Sequence, residues 1–164
     1  MRSNKEVGME DEFEYAKTLI SKISNEDIRD RIENMLIWYI KRAASSKRWY
    51  YIFTLSSIIA GASVPIISLS SGAELKDIIV AAISAIGAIS ISVCTLFSFK
   101  DNWRRYRKYS ELLKRECFMF ISHSGIYEDV SKDINQLFID QIENVTSTEN
   151  EEWVKTKSSA RGNN

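Results

Sequence analysis

The chain has 164 residues, with 22 Lys and Arg balanced by 22 Asp and Glu, and a pI near 6.6. Zero net charge leaves no global field to gather nucleic acid or an acidic surface. One proline and six glycines exclude a collagen-like or disordered composition. The mean hydropathy of -0.21 fits a soluble domain, yet the charges are strongly segregated. Residues 49–73 contain no Asp, Glu, Lys, Arg or His, and neither do residues 78–99.

In chain order, residues 9–23 read as an acidic helix with Phe13, Ala16, Leu19, Ile20 and Ile23 on one face. Ser24 and Asp27 then have the spacing of a capping box. Ile28, Ile32, Met35, Leu36, Tyr39 and Ala43 continue at helical spacing. No breaker stands between Asn25 and Gly61, so this helix is expected to run straight into the first apolar window.

The two windows, at about 50–69 and 78–99, each reach the roughly 20 residues that a helix needs to cross a bilayer. Every backbone polar group in hydrocarbon must be paired within its own segment, which makes each span a helix. Neither window reads as a cleaved signal peptide, because 48 charge-rich residues precede the first. The short turn at 70–77 makes the pair an antiparallel hairpin. Lys41, Arg42, Lys47 and Arg48 precede span one, and Lys100, Arg104, Arg105, Arg107 and Lys108 follow span two, against Lys76 alone in the turn. The positive-inside rule then places both termini in the cytoplasm. Trp49, Tyr50, Tyr51, Trp103 and Tyr106 supply an interfacial aromatic belt.

Past span two the helix is expected to continue, with Trp103, Tyr106, Leu113, Cys117 and Phe120 forming an apolar seam. Ser122, His123, Ser124 and Gly125 stop it. A last helix over about 128–145 presents Val130, Ile134, Leu137, Phe138, Ile142 and Val145. Residues 146–164 are expected to be a flexible tail, with Trp153 as an anchor. The fold class is therefore an all-α membrane protein. Its parts are N-terminal cytoplasmic helices over 1–48, a transmembrane hairpin over 49–99, and a cytoplasmic helical extension over 100–145.

Sites of chemistry are sparse. His123 is the only histidine and has no Cys, Asp or Glu at metal-ligand spacing. Cys94 and Cys117 read as packing residues in a reducing compartment. No phosphate loop, nucleophile elbow or metal motif occurs, so no enzyme activity, cofactor or metal is expected. The basic and aromatic run from Trp103 to Lys108 follows a span directly, which favours a stop-transfer signal and anionic lipid over nucleic acid. Within the spans, Ala81, Ser84, Ala88, Ser92 and Thr95 form a stripe, and Ser57 and Gly61 lie on span one. Small residues at this spacing let helices approach closely, within the hairpin or between subunits. The spans also carry ten hydroxyls, which either line a water-filled lumen or return hydrogen bonds to their own backbone. Pro65 removes the donor for the Gly61 carbonyl and marks an expected kink.

Arg48-Trp-Tyr50, Gly61 and Pro65, Trp103-x-x-Tyr106-Arg107, the run from Glu111 through Lys114 and Glu116 to Phe118, and Gly125-x-Tyr127 together resemble the SLATT superfamily. These are bacterial two-transmembrane domains found with SMODS nucleotidyltransferases and SLOG nucleotide-sensing domains in conflict systems. The resemblance covers about residues 30–145. It implies a homo-oligomeric effector that forms a pore or ion channel, or perturbs the membrane, in anti-phage defence. No fused sensor is present in these 164 residues, so the expected trigger is either a separate nucleotide-signal sensor protein or a ligand on the helical cytoplasmic part. The alternatives are a membrane anchor that recruits a cytoplasmic partner and a small regulatory subunit of a transporter.

Overall fold

A computed structural model describes residues 4–69, 75–129 and 133–162, with side chains over 10–69, 75–129, 133–149 and at 151. Among the described residues every regular element is helical: α1 (Asn4–Ile20), α2 (Glu26–Leu69), α3 (Leu75–Leu96), α4 (Phe99–Ile121), a 3-10 turn (Gly125–Tyr127) and α5 (Ile134–Gly162). Two compact units result. One comprises Met1–Lys41 with Tyr106–Asn164, and the other Arg42–Arg105.

Helix α1 begins and ends earlier than the expected 9–23. The cap of α2 also differs from expectation. The backbone N–H of Ile28 donates to the Asn25 side-chain oxygen at 3.2 Å, so Asn25 rather than Ser24 is the capping residue. Asn is as good an N-cap as Ser, and the helix starts one residue later. From there α2 is one helix of 44 residues, as the absence of a breaker implies, and Pro65 lies inside it.

The first unit has a continuous apolar core. Ala16, Leu19, Ile20 and Ile23 of the α1 segment are buried with Ile28, Ile32, Leu36, Tyr39 and Ile40 of α2. Helix α4 contributes Tyr109, Leu113 and Cys117, all fully inaccessible, and α5 contributes Phe138 and Ile142. Phe13, Met35, Tyr106, Phe120, Ile134, Leu137 and Val145 pack against this cluster. Val130 lies outside the described residues. Helix α5 continues to Gly162 instead of ending near Val145. Residues 146–161 contain no glycine or proline, so nothing in the backbone chemistry stops it.

Helix α4 ends in a Schellman motif. Ser124 N–H reaches the Met119 carbonyl at 3.1 Å and His123 N–H the Phe120 carbonyl at 3.2 Å. His123 takes the left-handed position with φ 48°, a role usually given to glycine. Gly125 follows at φ 67°, where a Cβ would stand 2.7 Å from the Met119 methyl. The left-handed conformation favours glycine here, whereas the Met119 methyl, the end of a flexible side chain, can move aside. The turn delivers Tyr127 into the core, where its ring meets Phe120 and Phe138 at centroid distances of 5.7 and 6.1 Å.

The second unit is the hairpin of α2 and α3 with the start of α4. Contrary to expectation, span two does not run unbroken into the following helix. Turn residues Phe97 and Ser98 separate α3 from α4, and Ser98 has φ 47°. The Asn102 side-chain amide donates to the Phe97 carbonyl at 2.9 Å, satisfying a group that the break releases from the helical ladder.

Candidate functional site

In the hairpin unit, α2 and α3 approach through a narrow inner face. A Cβ on Gly87 would lie 3.2 Å from the Ala60 Cβ, so the Ala60 methyl packs closely over the Gly87 backbone. The Ser56 hydroxyl donates to that of Ser90 at 3.1 Å, and Thr54 Oγ1 lies 4.0 Å from Cys94 Sγ. Ala60, Gly87 and Ser90 are the buried residues of this contact. Past the break, Phe53 stacks on Phe99 at 5.8 Å, and Tyr50 on Trp103 at 6.5 Å.

The expected stripe does not face α2. Ala81, Ser84, Ala88, Ser92 and Thr95 are all exposed, rotated by more than a right angle around α3 from the Gly87–Ser90–Cys94 face. Gly61 is exposed with nothing within 4 Å of its added Cβ, so it takes no part in the contact between α2 and α3. Gly87 is the glycine in that contact. Ser57 is half-buried, its carbonyl 3.9 Å from the same added Cβ. A second exposed face of α3 holds Ile78, Ile86, Ile89 and Leu96, which are 56–78% accessible. The outer surface of this helix is thus divided into a small-residue face and a bulky apolar face.

Several hydroxyls return to their own helix. Ser63 donates to the Ile59 carbonyl at 2.8 Å, Ser90 to Ile86 at 2.8 Å, Ser92 to Ala88 at 2.8 Å and Thr95 to Ile91 at 3.0 Å. Self-capping of this kind satisfies the hydroxyl proton without water. The Lys76 ammonium donates to the Ser68 carbonyl at 2.6 Å, while residues 70–74 of the expected turn lie outside the described residues.

The remaining flagged residues divide between the units. Arg48 and Arg104 are exposed, Tyr50, Trp103 and Arg105 half-buried, and Trp49 46% exposed. The Lys47 ammonium lies 5.3 Å above the Trp103 ring. Trp103 therefore belongs to this aromatic group and not to the apolar seam. In the other unit, Tyr106 meets Trp38 edge-on at 5.5 Å, and the Lys108 ammonium lies 5.2 Å from the Tyr109 ring.

Four of the charged motif residues, Arg107, Glu111, Lys114 and Glu116, have structural roles. Lys114 is almost fully buried and donates to Glu12 and Glu111, both at 2.9 Å. Arg107 joins the same carboxylates at 3.5 and 3.2 Å. This four-residue network holds α1 against α4. Glu116 accepts the Tyr127 hydroxyl at 3.2 Å. Burial, and then the nearby Glu116 carboxylate, raise the Tyr127 phenol above its ordinary pKa. Burial also pushes the Cys117 thiol up to about 12, with Glu116 adding to it. Phe118, by contrast, is 58% exposed. Tyr109 and the buried Lys114 were not foreseen as core positions. Tyr109 shares the α4 face of Leu113 and Cys117, so its spacing carried the signal.

Among the described residues no group of three or more His, Cys, Asp or Glu can hold a metal. A shallow cleft of about 280 Å³ between α2 and α5 is floored by Ile28, Ile32, Phe138 and Ile142. Its cation, Arg31, is ion-paired with Glu143.

Residues 35–134, more than half of the chain, match the family described as protein of unknown function DUF4231. The chain belongs to the DUF4231 family. No curated protein and no solved structure shows a significant similarity to it. The DUF4231 segment includes both apolar windows, Lys114, the Glu116–Tyr127 contact and the Gly125 turn. It therefore draws on both compact units.

Proposed function

We propose that the chain is a two-span inner-membrane protein that self-associates and acts as a pore-forming or membrane-perturbing effector in bacterial defence. The observation that carries the membrane reading is the exposure of its apolar windows. Only 6% of the most apolar window of α2, and 11% of that following Leu75, is buried inside the chain. The core helix of a soluble protein hides such a surface; these helices present Leu55, Ile58, Ile59, Ile66, Ile86 and Ile89 outward. Transfer into hydrocarbon stabilises each such side chain by about 1.5–3 kcal/mol.

Self-association is supported by the division of α3. The bulky face fits lipid, and the small face of Ala81, Ser84, Ala88, Ser92 and Thr95 fits a second copy at close backbone distance. Self-capped hydroxyls allow that contact without a water-filled lumen. The effector role comes from the SLATT resemblance, with both termini cytoplasmic by the flanking charges and a separate nucleotide-signal sensor as trigger.

The test joins oligomer mass to conductance. Light scattering in detergent should give a multimer for the full chain, and proteoliposomes should leak ions. Ala88→Leu should reduce both while leaving the hairpin folded, because Ala88 does not face α2. A monomer that never conducts would put the anchor or scaffold reading ahead.

A further inference from the structure

We propose that the basic and aromatic collar at the end of the hairpin remote from its turn is a binding surface for the phosphate headgroups of anionic phospholipids. The proposal deepens the membrane reading above and rests on it. Between residues 42 and 48 and between 100 and 105 the hairpin unit carries Arg42, Lys47, Arg48, Lys100, Arg104 and Arg105 against Asp101 alone. The described residues at the other end of the unit have Lys76 opposed by Asp77. Charge is therefore concentrated on one end of the unit although the whole chain is neutral.

The two basic stretches are brought together by aromatic contacts. Lys47 lies over the Trp103 ring at 5.3 Å, Tyr50 stacks on that ring at 6.5 Å, and Tyr51 meets it at 6.2 Å. Arg48, Lys100 and Arg104, within three residues of these rings in sequence, are exposed. Immediately beyond the rings begin exposed apolar side chains, with Ile52 and Leu55 a turn further along α2. An anion that meets these cations thus has hydrocarbon-like surface directly beside it.

That juxtaposition selects an amphiphile. A phospholipid places its phosphate among Arg48, Lys100 and Arg104 while its acyl chains run along Ile52 and Leu55. Trp49 and Tyr51, each 46% exposed, sit at the headgroup level that their amphipathic rings favour. A nucleic acid offers phosphates but nothing to cover the apolar residues. Arg and Lys stems can extend from the helix toward the headgroups while their charges stay hydrated.

The experiment uses the full chain in phosphatidylcholine vesicles with trace spin-labelled phosphatidylglycerol or spin-labelled phosphatidylcholine, and reads the motionally restricted fraction of each. Phosphatidylglycerol should be preferred about five-fold or more, the factor set by one favourable Lys or Arg contact near the surface. The triple variant R48Q/K100Q/R104Q should lose the preference, K76Q should keep it, and 1 M salt should abolish it in the unmodified chain, where screening shortens to about 3 Å. Flotation of the vesicles reports insertion separately. Inserted protein that restricts both lipids equally, or a triple variant with unchanged preference, overturns the proposal and leaves the membrane reading standing. Failure to float overturns both. A single-stranded oligonucleotide that binds the inserted chain and displaces phosphatidylglycerol would make nucleic acid the occupant and overturn the lipid assignment.

Discussion

Replacement of Leu113 by alanine probes the core of the first unit most sharply. Leu113 is fully inaccessible, and Tyr109 and Cys117, one turn to either side on α4, are inaccessible too. Removing its three terminal carbons loses their transfer free energy and leaves a cavity, because neighbours held on both flanks can close over it only in part. Leu→Ala changes of this type cost about 2–5 kcal/mol, and the closed flanks place this one in the upper half of that range. For a unit of about 100 residues each kcal/mol lowers the midpoint by about 4–8 °C, so a fall of more than 10 °C is expected. Thermal melts of the full chain in detergent, followed by tryptophan fluorescence, measure it. Phe118→Ala is the control: Phe118 lies on the same helix, is larger, and is 58% exposed, so its loss should shift the midpoint by no more than a few degrees. Equal shifts for the two variants would refute the assignment of Leu113 to a packed core.

Gly87→Leu should separate α2 from α3 and lower the midpoint, whereas Gly61→Ala, which meets nothing, should hold or raise it by up to ~1 kcal/mol of helix propensity; the same melts decide. Lys114→Ala should loosen α1 and cost about 1–3 kcal/mol, since the partly buried Glu12 loses its closest donor and is left with Arg107 at 3.5 Å. Glu111→Ala should cost less, because Glu111 is half exposed, and protease cleavage within α1 provides the readout. Stability should fall as pH rises above about 9. The unfolded thiol and phenol ionise near 9 and 10, while burial keeps Cys117 and Tyr127 protonated in the folded chain to higher pH. Their contribution is complete below pH 9 and is lost on the alkaline side, and Cys117→Ala should reduce the alkaline loss.

Local chemistry made much of this legible. The apolar spacing from Ile28 to Tyr39 and the absence of breakers announce α2, and the spacing of Leu113, Cys117 and Phe120 announces the α4 face. The features that escaped depend on partners distant in sequence. Nothing local marks Phe97 and Ser98 as a break, because neither is glycine or proline and the left-handed Ser98 is supported by Asn102 four residues on. Gly61 and Gly87 look alike in sequence, and only the register of α2 against α3 decides which one meets a neighbour. Lys114 reads as a surface cation until Glu12, more than 100 residues earlier, covers it. The small-residue stripe was legible as a stripe, but its direction relative to α2 was not.

The central claim, that the hairpin crosses the bilayer with both termini inside, is tested most directly by cysteine accessibility in intact cells. In a background carrying Cys94→Ala and Cys117→Ala, single variants Ser71→Cys and Ser158→Cys are exposed to a membrane-impermeant maleimide. The account predicts labelling at position 71 from outside and at position 158 only after the membrane is opened. Labelling of 158 but not 71 in intact cells, or of neither before and both after opening, would contradict it.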